Sequence, residues 1–206
     1  MIYLIITTCI NNKIGFGIQH AEHRKQTYLN CIQNTLKLLP DSIKPLIVEN
    51  NGQRSTYLDE LSVPVLYTDN NFKHYNDKGL NELDDIKSVI DHFNIKDDDI
   101  IIKLTGRYEL LNDTFFNTII NNPDKDVFMK FFNVCTLEFM ENDCVLGLYA
   151  IRCKLLKSFK YTQMCNCPEK EFAYFIRTQV DKDKIQSIEQ MHLRCCFAYD
   201  LKIVDI

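Results

Sequence analysis

The stretch DDDIIIKLTGRYELL, residues 97–111, decides the fold. Ile100 to Leu104 is an apolar, β-branched run of the kind that forms a buried strand, and the Thr-Gly-Arg sequence after it ends the strand abruptly. The acidic residues 97–99 precede this strand, whereas Lys103 and Arg107 lie towards its far end. The question is what two cations do at the end of such a strand.

Strands and helices alternate upstream of this stretch. Apolar runs predict strands at residues 2–8, 44–50 and 63–68, and helical spacing predicts helices at 23–39, about 57–61 and 80–93. This β-α-β order predicts parallel strands with right-handed crossovers. Ligands of such sheets bind beyond the carboxyl ends of the strands, and here those ends read TTCINN, ENNGQR, TDNN and TGRYEL.

The second half is less regular. We expect strands in DVFMKFF (126–132) and CVLGLYAIR (144–152), helices in CKLLKSF (153–159) and PEKEFAYFIRTQV (168–180), and a strand-like tail at 192–206. The sequence contains no internal repeat and no linker. Residues 1–206 are therefore expected to form a single α/β domain.

Composition excludes several classes of function. A net charge of -4 and a pI near 5.7 argue against a nucleic-acid surface, which is usually basic. The opening MIYLIITTCINN lacks a basic region before its apolar run, and no run of eighteen apolar residues is long enough for a membrane span. Nine cysteines without a signal sequence favour reduced thiols in the cytoplasm, or in the host cytoplasm for a viral protein.

Two motifs carry a resemblance to a known family. KGLNELDDI (78–86) followed by DDIIIKLTGRYELL resembles small GT-A-type nucleotide-sugar glycosyltransferases of bacteria and large DNA viruses, in which a Lys-Gly-x-x-Glu helix start precedes an Ile-Ile-Lys-x-Thr-Gly-Arg-Tyr strand end. PEKEFAYFI (168–176) fits the same pattern. The resemblance implies a GT-A-like, Rossmann-related mixed sheet flanked by helices, with residues 1–111 binding a nucleotide sugar and 112–206 binding the acceptor.

The resemblance also implies an activity. The expected reaction is inverting transfer of a sugar from a nucleoside-diphosphate sugar, with a UDP-sugar favoured, to a hydroxyl of a glycan, a protein or a lipid-linked acceptor. The residues expected to bind the donor are at the strand ends and the start of the KGLNEL helix: Thr7, Thr8, Cys9, Glu49, Asn51, Asp69, Lys78, Gly79, Lys103 and Arg107. Taken singly, a threonine at a strand end is more often a cap, and Asn-Asn-Gly is more often a turn.

The leaving diphosphate needs charge stabilisation, which fixed cations or a metal ion can supply. The position of the usual Asp-x-Asp metal motif holds TGRYE, so Arg107 with its forked donors and Lys103 with its point charge are expected to take that role. Alternatively, Arg107 pairs with Glu82 or Glu109 and only fixes the turn. Either no cofactor is required, or Mn²⁺ or Mg²⁺ binds through Asp69 or His192.

Inverting transfer needs a base for the proton of the acceptor hydroxyl. Glu169, in the first turn of the PEKEFAYFI helix, is the favoured base, and Glu171 is the second candidate. The alternative is an ordinary acidic first turn that stabilises the helix.

Two other classes of function stay open. A sugar nucleotidyltransferase would use a glycine-rich, basic loop after the first strand, where NNKIGFGIQHAEHRK (11–25) supplies two glycines and some basic residues. A catalytically silent module that binds nucleotide sugars would lack the base.

Overall fold

Four parallel strands form the first half of the main sheet. The computed structural model describes residues 1–11, 21–52, 54–73, 78–162, 167–197 and 202–206. The four strands are β1 (Ile2–Thr8), β2 (Ile43–Glu49), β3 (Val65–Tyr67) and β4 (Ile100–Thr105). Helix α1 (Ala21–Leu38) connects β1 to β2, a 3-10 helix (Tyr57–Leu61) precedes β3, and α2 (Lys78–His92) precedes β4. The predicted β-α-β order and the parallel pairing are confirmed.

Strand β1 lies inside the sheet, between β2 and β4, and its side chains are apolar on both faces. Leu4, Ile5 and Ile6 are fully buried, as expected for a parallel strand covered by helices on both sides. The register aligns the ends of the strands, since Thr8 pairs with Glu49 of β2 and Thr7 pairs with Thr105 of β4. This alignment brings three polar strand ends to one edge of the sheet.

The second half extends the sheet beyond β4. Strand β7 (Leu148–Arg152) pairs antiparallel with β4, β6 (Val127–Met129) pairs antiparallel with β7, and β8 (Ile185–Ser187) pairs parallel with β6. The seven-stranded order is β3-β2-β1-β4-β7-β6-β8, a mixed sheet. The flanking helices of this half are α3 (Thr114–Asn121), α4 (Cys153–Ser158) and α5 (Pro168–Gln179).

A small antiparallel sheet holds the segment that follows β4. It consists of β5 (Glu109–Leu110), β9 (Leu193–Cys196) and β10 (Ile203–Asp205), in the order β10-β9-β5. The tail predicted as one strand-like segment is therefore two strands. Since β5 begins two residues after Arg107, its pairing with β9 fixes where Arg107 lies.

The core packs on both faces of the main sheet. One cluster places Ile5 and Ile101 against Ile86 of α2 and Phe172 of α5. The other places β1, β4 and β7 against α1 and α3, with Tyr28 and Phe116 among its largest side chains. Among the residues described, no helix is both long enough and apolar enough to cross a membrane.

The acidic residues before β4 lie at the opposite edge from the aligned strand ends. Asp97 forms a 2.6 Å ion pair with Lys157, and Asp99 accepts hydrogen bonds from the terminal ammonium of Met1 and from the backbone N–H of Lys96. Each of these two carboxylates thus ties the start of β4 to a neighbouring segment.

Candidate functional site

A cleft of about 260 Å³ lies at the edge of the sheet where β1 and β4 end. The start of α2 forms one wall, and the start of α5 with the loop before β7 forms another. The side chains and backbone that line it include eight residues of the expected site: Thr7, Thr8, Cys9, Lys78, Gly79, Lys103, Arg107 and Glu169. The sequence motifs KGLNEL, KLTGRY and PEKEF therefore meet at one place.

The end of β1 is held by hydrogen bonds on both sides. Thr7 Oγ1 donates to Glu82 Oε1 over 2.5 Å, and Thr8 Oγ1 donates to Glu49 Oε2 over 2.7 Å. Arg24 of α1 donates from Nε to the carbonyl of Cys9 over 3.0 Å. These contacts fix the backbone where a ligand above the sheet would meet it.

Glu49 is a structural carboxylate beneath the cleft. It is fully buried, and its oxygens accept hydrogen bonds from Thr8, from the backbone N–H of Ile10 and from the backbone and side chain of Asn51. Burial raises the pKa of Glu49, and these hydrogen bonds oppose that rise. The described residues that line the cleft do not include Glu49 or Asn51, so both act through the loops that they hold.

Asp85 forms a second buried network, which the sequence motifs did not indicate. Its carboxylate accepts from Asn50 Nδ2, Thr68 Oγ1 and Asn70 Nδ2, each over 2.8 Å, and so ties α2 to the chain after β2 and β3. Burial raises the pKa of Asp85 to about 7. The available signal was spacing, because Lys78, Glu82 and Asp85 follow one another at helical intervals on one face of α2.

Lys103 is buried with all three of its N–H donors used. Its ammonium lies 2.9 Å from Glu82 Oε1 and donates to Thr105 Oγ1 and to the carbonyl of Leu146, each over 2.7 Å. Burial lowers the pKa of Lys103, and the Glu82 carboxylate opposes the shift. A lysine has three donors, so the predicted contact with a phosphate would have to replace one of these partners. In this arrangement Lys103 holds the Glu82 carboxylate at the cleft wall.

Arg107 reaches the cleft from the turn after β4. Its guanidinium donates to the backbone carbonyl of Cys196 in β9 and lies 5.7 Å from the ring centre of Tyr108. Among the described residues, Arg107 donates to this carbonyl and not to Glu82 or Glu109. One donor of the planar fork is thus anchored on β9, while the side chain lines the cleft.

Two glycines allow close packing around the turn after β4: Gly106 in the turn itself and Gly147 before β7. A Cβ at Gly106 would lie 3.0 Å from Cγ2 of Thr8, so the turn crosses close above β1. A Cβ at Gly147 would lie 2.1 Å from Cε2 of the Tyr108 ring, which therefore packs close to the backbone before β7. The close approach lets Tyr108, Leu146 and Gly147 line the cleft together.

The two glutamates at the start of α5 have different surroundings. Glu169 lines the cleft, and the thiol of Cys167 lies 3.5 Å from its Oε2. The Glu171 carboxylate accepts from the backbone N–H and the hydroxyl of Thr162 over 2.7 and 2.8 Å, and it is not among the described residues that line the cleft. Of the two candidate bases, Glu169 is therefore the one beside the cleft.

The two residues expected to bind a metal are apart from the cleft lining. Asp69 is exposed at 65% and pairs with Arg54 over 3.5 Å, and His192 occupies a turn before β9 with a φ of 51°. In the part of the chain that the structure describes, no three His, Cys, Asp or Glu side chains form a metal-binding group. The described residues thus do not fit a metal held by protein ligands alone.

The sheet order, with its parallel first half, its antiparallel β7 and the cleft at the strand ends, defines a GT-A-like fold. A protein from Desulfovibrio desulfuricans G20, described as a nucleotide-diphospho-sugar transferase, is similar with a TM-score of 0.52 and 8% identity over 85% of this chain and 74% of its own. Mouse xyloside xylosyltransferase 1 is similar with a TM-score of 0.52 and 10% identity over 91% of this chain and 84% of its own.

No protein-family model matches the chain, and no curated protein matches its sequence. At identities of 8% and 10%, the similarity to the two structures establishes the fold alone. One fold hosts many functions, so the function depends on the residues of the cleft.

Proposed function

We propose that the protein is a glycosyltransferase that uses a nucleoside-diphosphate sugar, with a UDP-sugar favoured, and transfers the sugar to a hydroxyl with inversion. One observation carries the proposal: the same cleft is lined by the cation Arg107, by the carboxylate Glu169 and by the polar end of β1. Sugar transfer needs these three elements, namely a donor platform, a positive group for the leaving diphosphate and a base.

The donor is proposed to lie over the ends of β1 and β4, within residues 1–111. Thr7, Thr8 and Cys9 offer backbone and side-chain groups to the nucleoside. Lys78 and Gly79 begin α2, where the N-terminal end of a helix favours the negative charge of a diphosphate. Glu49 and Asn51 support this platform from below through the contacts already described.

The reaction is proposed to be a direct displacement. The acceptor oxygen forms a bond to the anomeric carbon of the sugar, the bond from that carbon to the diphosphate oxygen breaks, and the electron pair leaves with the diphosphate. Glu169 takes the proton of the acceptor hydroxyl, and Arg107 stabilises the charge that develops on the diphosphate. The acceptor, a hydroxyl of a glycan, a protein or a lipid-linked molecule, would approach from residues 112–206.

The first arm of the test is binding. Saturating UDP, GDP and dTDP are added separately, and the melting temperature is measured for each. A nucleotide at one hundred times its dissociation constant should stabilise the fold by about 2.7 kcal/mol. If all three leave the melting temperature unchanged, the donor site is not in this cleft.

The second arm is turnover, measured as nucleoside diphosphate released from a panel of nucleotide sugars with hydroxyl acceptors. Glu169→Gln should bind the nucleotide normally and lose about a hundredfold or more in turnover. Glu171→Gln is the matched control on the same helical turn and should keep most of the activity. Binding without turnover would indicate the silent module, and formation of a nucleotide sugar from a nucleoside triphosphate and a sugar phosphate would indicate the nucleotidyltransferase. The glycine-containing loop at residues 12–20, on which that alternative depends, lies outside the described residues.

A further inference from the structure

A small apolar pocket opens beside the cleft. Its volume is about 40 Å³, and four of its lining residues also line the cleft: Gly79, Glu82, Leu146 and Pro168. The residues that line the side pocket alone are apolar or aromatic: Leu83, Ile86, Tyr149, Phe159, Tyr161 and Phe172. The side pocket therefore adjoins the polar cleft, with Glu82 as the one charged residue among the four that they share.

The walls of this side pocket are held in place. Residues 159–162 form one wall of the pocket and are held at both ends. Lys87 of α2 donates to the carbonyl of Phe159 over 3.1 Å, and Glu171 of α5 accepts hydrogen bonds from Thr162. The Phe172 ring packs against Phe159 at 5.1 Å and against Tyr149 at 4.8 Å between ring centres. Contacts from two helices and from β7 thus fix the shape of the recess.

The size and the lining of the side pocket select a kind of ligand group. One water needs about 10 to 15 Å³ of such volume together with two to four polar partners, and an apolar recess offers few. A volume of about 40 Å³ accommodates one or two carbon atoms. Sugars carry apolar groups of this size as the methyl of an acetamido substituent or as the C6 methyl of a 6-deoxy sugar.

We propose that the side pocket selects a sugar that carries a methyl substituent, with the sugar ring in the cleft and the methyl group between α2 and α5. This inference rests on the proposed function and specifies its donor. The carboxylate of Glu82 lies at the boundary, where Thr7, Thr105 and Lys103 converge on its Oε1. It is placed to accept a hydroxyl of the ring at the point where the polar lining gives way to the apolar lining.

Two matched ligand pairs test the proposal on the unmodified protein and distinguish the two sources of the methyl group. UDP-N-acetylglucosamine is compared with UDP-N-formylglucosamine, and UDP-6-deoxyglucose is compared with UDP-xylose, since the members of each pair differ by one methyl group. The dissociation constant should be about tenfold lower for the methylated member of one pair, as expected for one carbon in a hydrophobic pocket.

A substitution in the side pocket tests whether the tenfold difference in affinity arises there. Leu83→Phe fills the side pocket from a position that does not line the cleft, and Leu36→Phe makes the same change on α1, which packs on the other face of the sheet. Leu83→Phe should abolish the tenfold difference and leave the affinity for UDP unchanged, whereas Leu36→Phe should keep both. If Leu83→Phe fails to fold, the comparison of the ligand pairs on the unmodified protein still tests whether a methylated sugar is preferred.

The outcomes separate the two proposals. Normal UDP binding with equal affinities within both pairs would overturn the side-pocket inference and leave the proposed function standing. Failure of UDP, GDP and dTDP to bind would overturn the proposed function itself. A tenfold difference that survives in Leu83→Phe would place the methyl group elsewhere and also overturn the inference.

Discussion

The ends of β2 and β3 and the end of β4 are both polar, but their charged groups have different partners. At β2 and β3, Glu49 and Asp85 are fully buried, and protein donors surround them. At β4, Arg107 is anchored by one backbone carbonyl and lines the cleft together with the α5 residue Glu169. Lys103 lies between the two regions, because it belongs to β4 but has three protein acceptors.

The difference teaches how to separate supporting residues from reacting ones. A buried charge whose hydrogen-bonding capacity is taken up by the protein shapes the site, and removing it costs stability. A charge that keeps donors or acceptors towards the cleft interacts with the ligand, and removing it costs binding or turnover. Substitutions of Lys103, Arg107 and Asp85 test this division.

The largest effect is expected for Lys103→Met, which removes the cation beside Glu82. Taking away one partner of a fully buried ion pair costs about 3 to 5 kcal/mol, which is the upper bound here because the remaining Glu82 side chain is 31% exposed at the cleft wall. Urea unfolding measures the change. Lys87→Met is the control, since Lys87 donates to a single backbone carbonyl and its loss should cost about 1 kcal/mol. A stable Lys103→Met protein that no longer binds UDP would instead assign Lys103 to the ligand.

Arg107→Ala is expected to act on turnover. Loss of a cation that meets the developing charge costs about 2 to 4 kcal/mol of transition-state stabilisation, measured as the ratio of kcat/KM values. Arg107→Lys keeps the charge but loses the planar fork, so it should restore part of the activity. Arg194→Ala removes an arginine of β9 that pairs with Asp205 and Glu109, and it should leave turnover close to normal.

The role proposed for Arg107 also predicts how turnover responds to a chelator. Turnover should persist at least in part in EDTA, because Arg107 supplies charge that a metal would otherwise supply. Complete loss in EDTA, full recovery with Mn²⁺ and normal turnover of Arg107→Ala would together contradict this role.

The smallest effect concerns the pH dependence that Asp85 gives to stability. Its pKa is raised from 3.8 to about 7 in the folded protein, so the folded state holds the proton that the unfolded state has released. The free energy of unfolding therefore decreases as the pH rises from 3.8 towards about 7, the two pKa values of Asp85. Between about pH 6.5 and about pH 8 the decrease is about 1 kcal/mol. Urea unfolding of the wild type and of Asp85→Asn at both pH values isolates the contribution of Asp85 to this pH dependence. Asp84→Asn, with the neighbouring carboxylate changed, should retain the wild-type slope, and equal slopes in wild type and Asp85→Asn would contradict the prediction.

The parallel half of the fold could be predicted because its strands are continuous apolar runs. Ile2–Thr8 is the predicted first strand, and β4 extends the predicted strand by one residue, to Thr105. The strands β5 and β8 and the helix α3 were missed. β5 has two residues and exists through its pairing with β9, far along the chain, so no local pattern marks it.

The candidate site could be predicted in part because the ends of parallel strands meet by geometry. Which charges face the cleft depends on partners that no motif reveals. Tertiary packing brings Lys103 to the carbonyl of Leu146, to which it donates, and brings Glu171 to the backbone N–H of Thr162, from which it accepts. Glu82 was part of the KGLNE motif, but its place at the boundary of two pockets follows from the position of α2 on the sheet.

The contact between Tyr108 and Gly147 has a consequence for finding distant relatives of this chain. A Cβ at 147 would lie 2.1 Å from Cε2 of Tyr108, so a side chain there requires the Tyr108 ring to move or a smaller residue at 108. The coupling runs in one direction, because a smaller residue at 108 leaves room for Gly147 unchanged. A search profile that scores the two positions jointly, together with KLTGRY, would recover divergent sequences that a position-by-position profile overlooks.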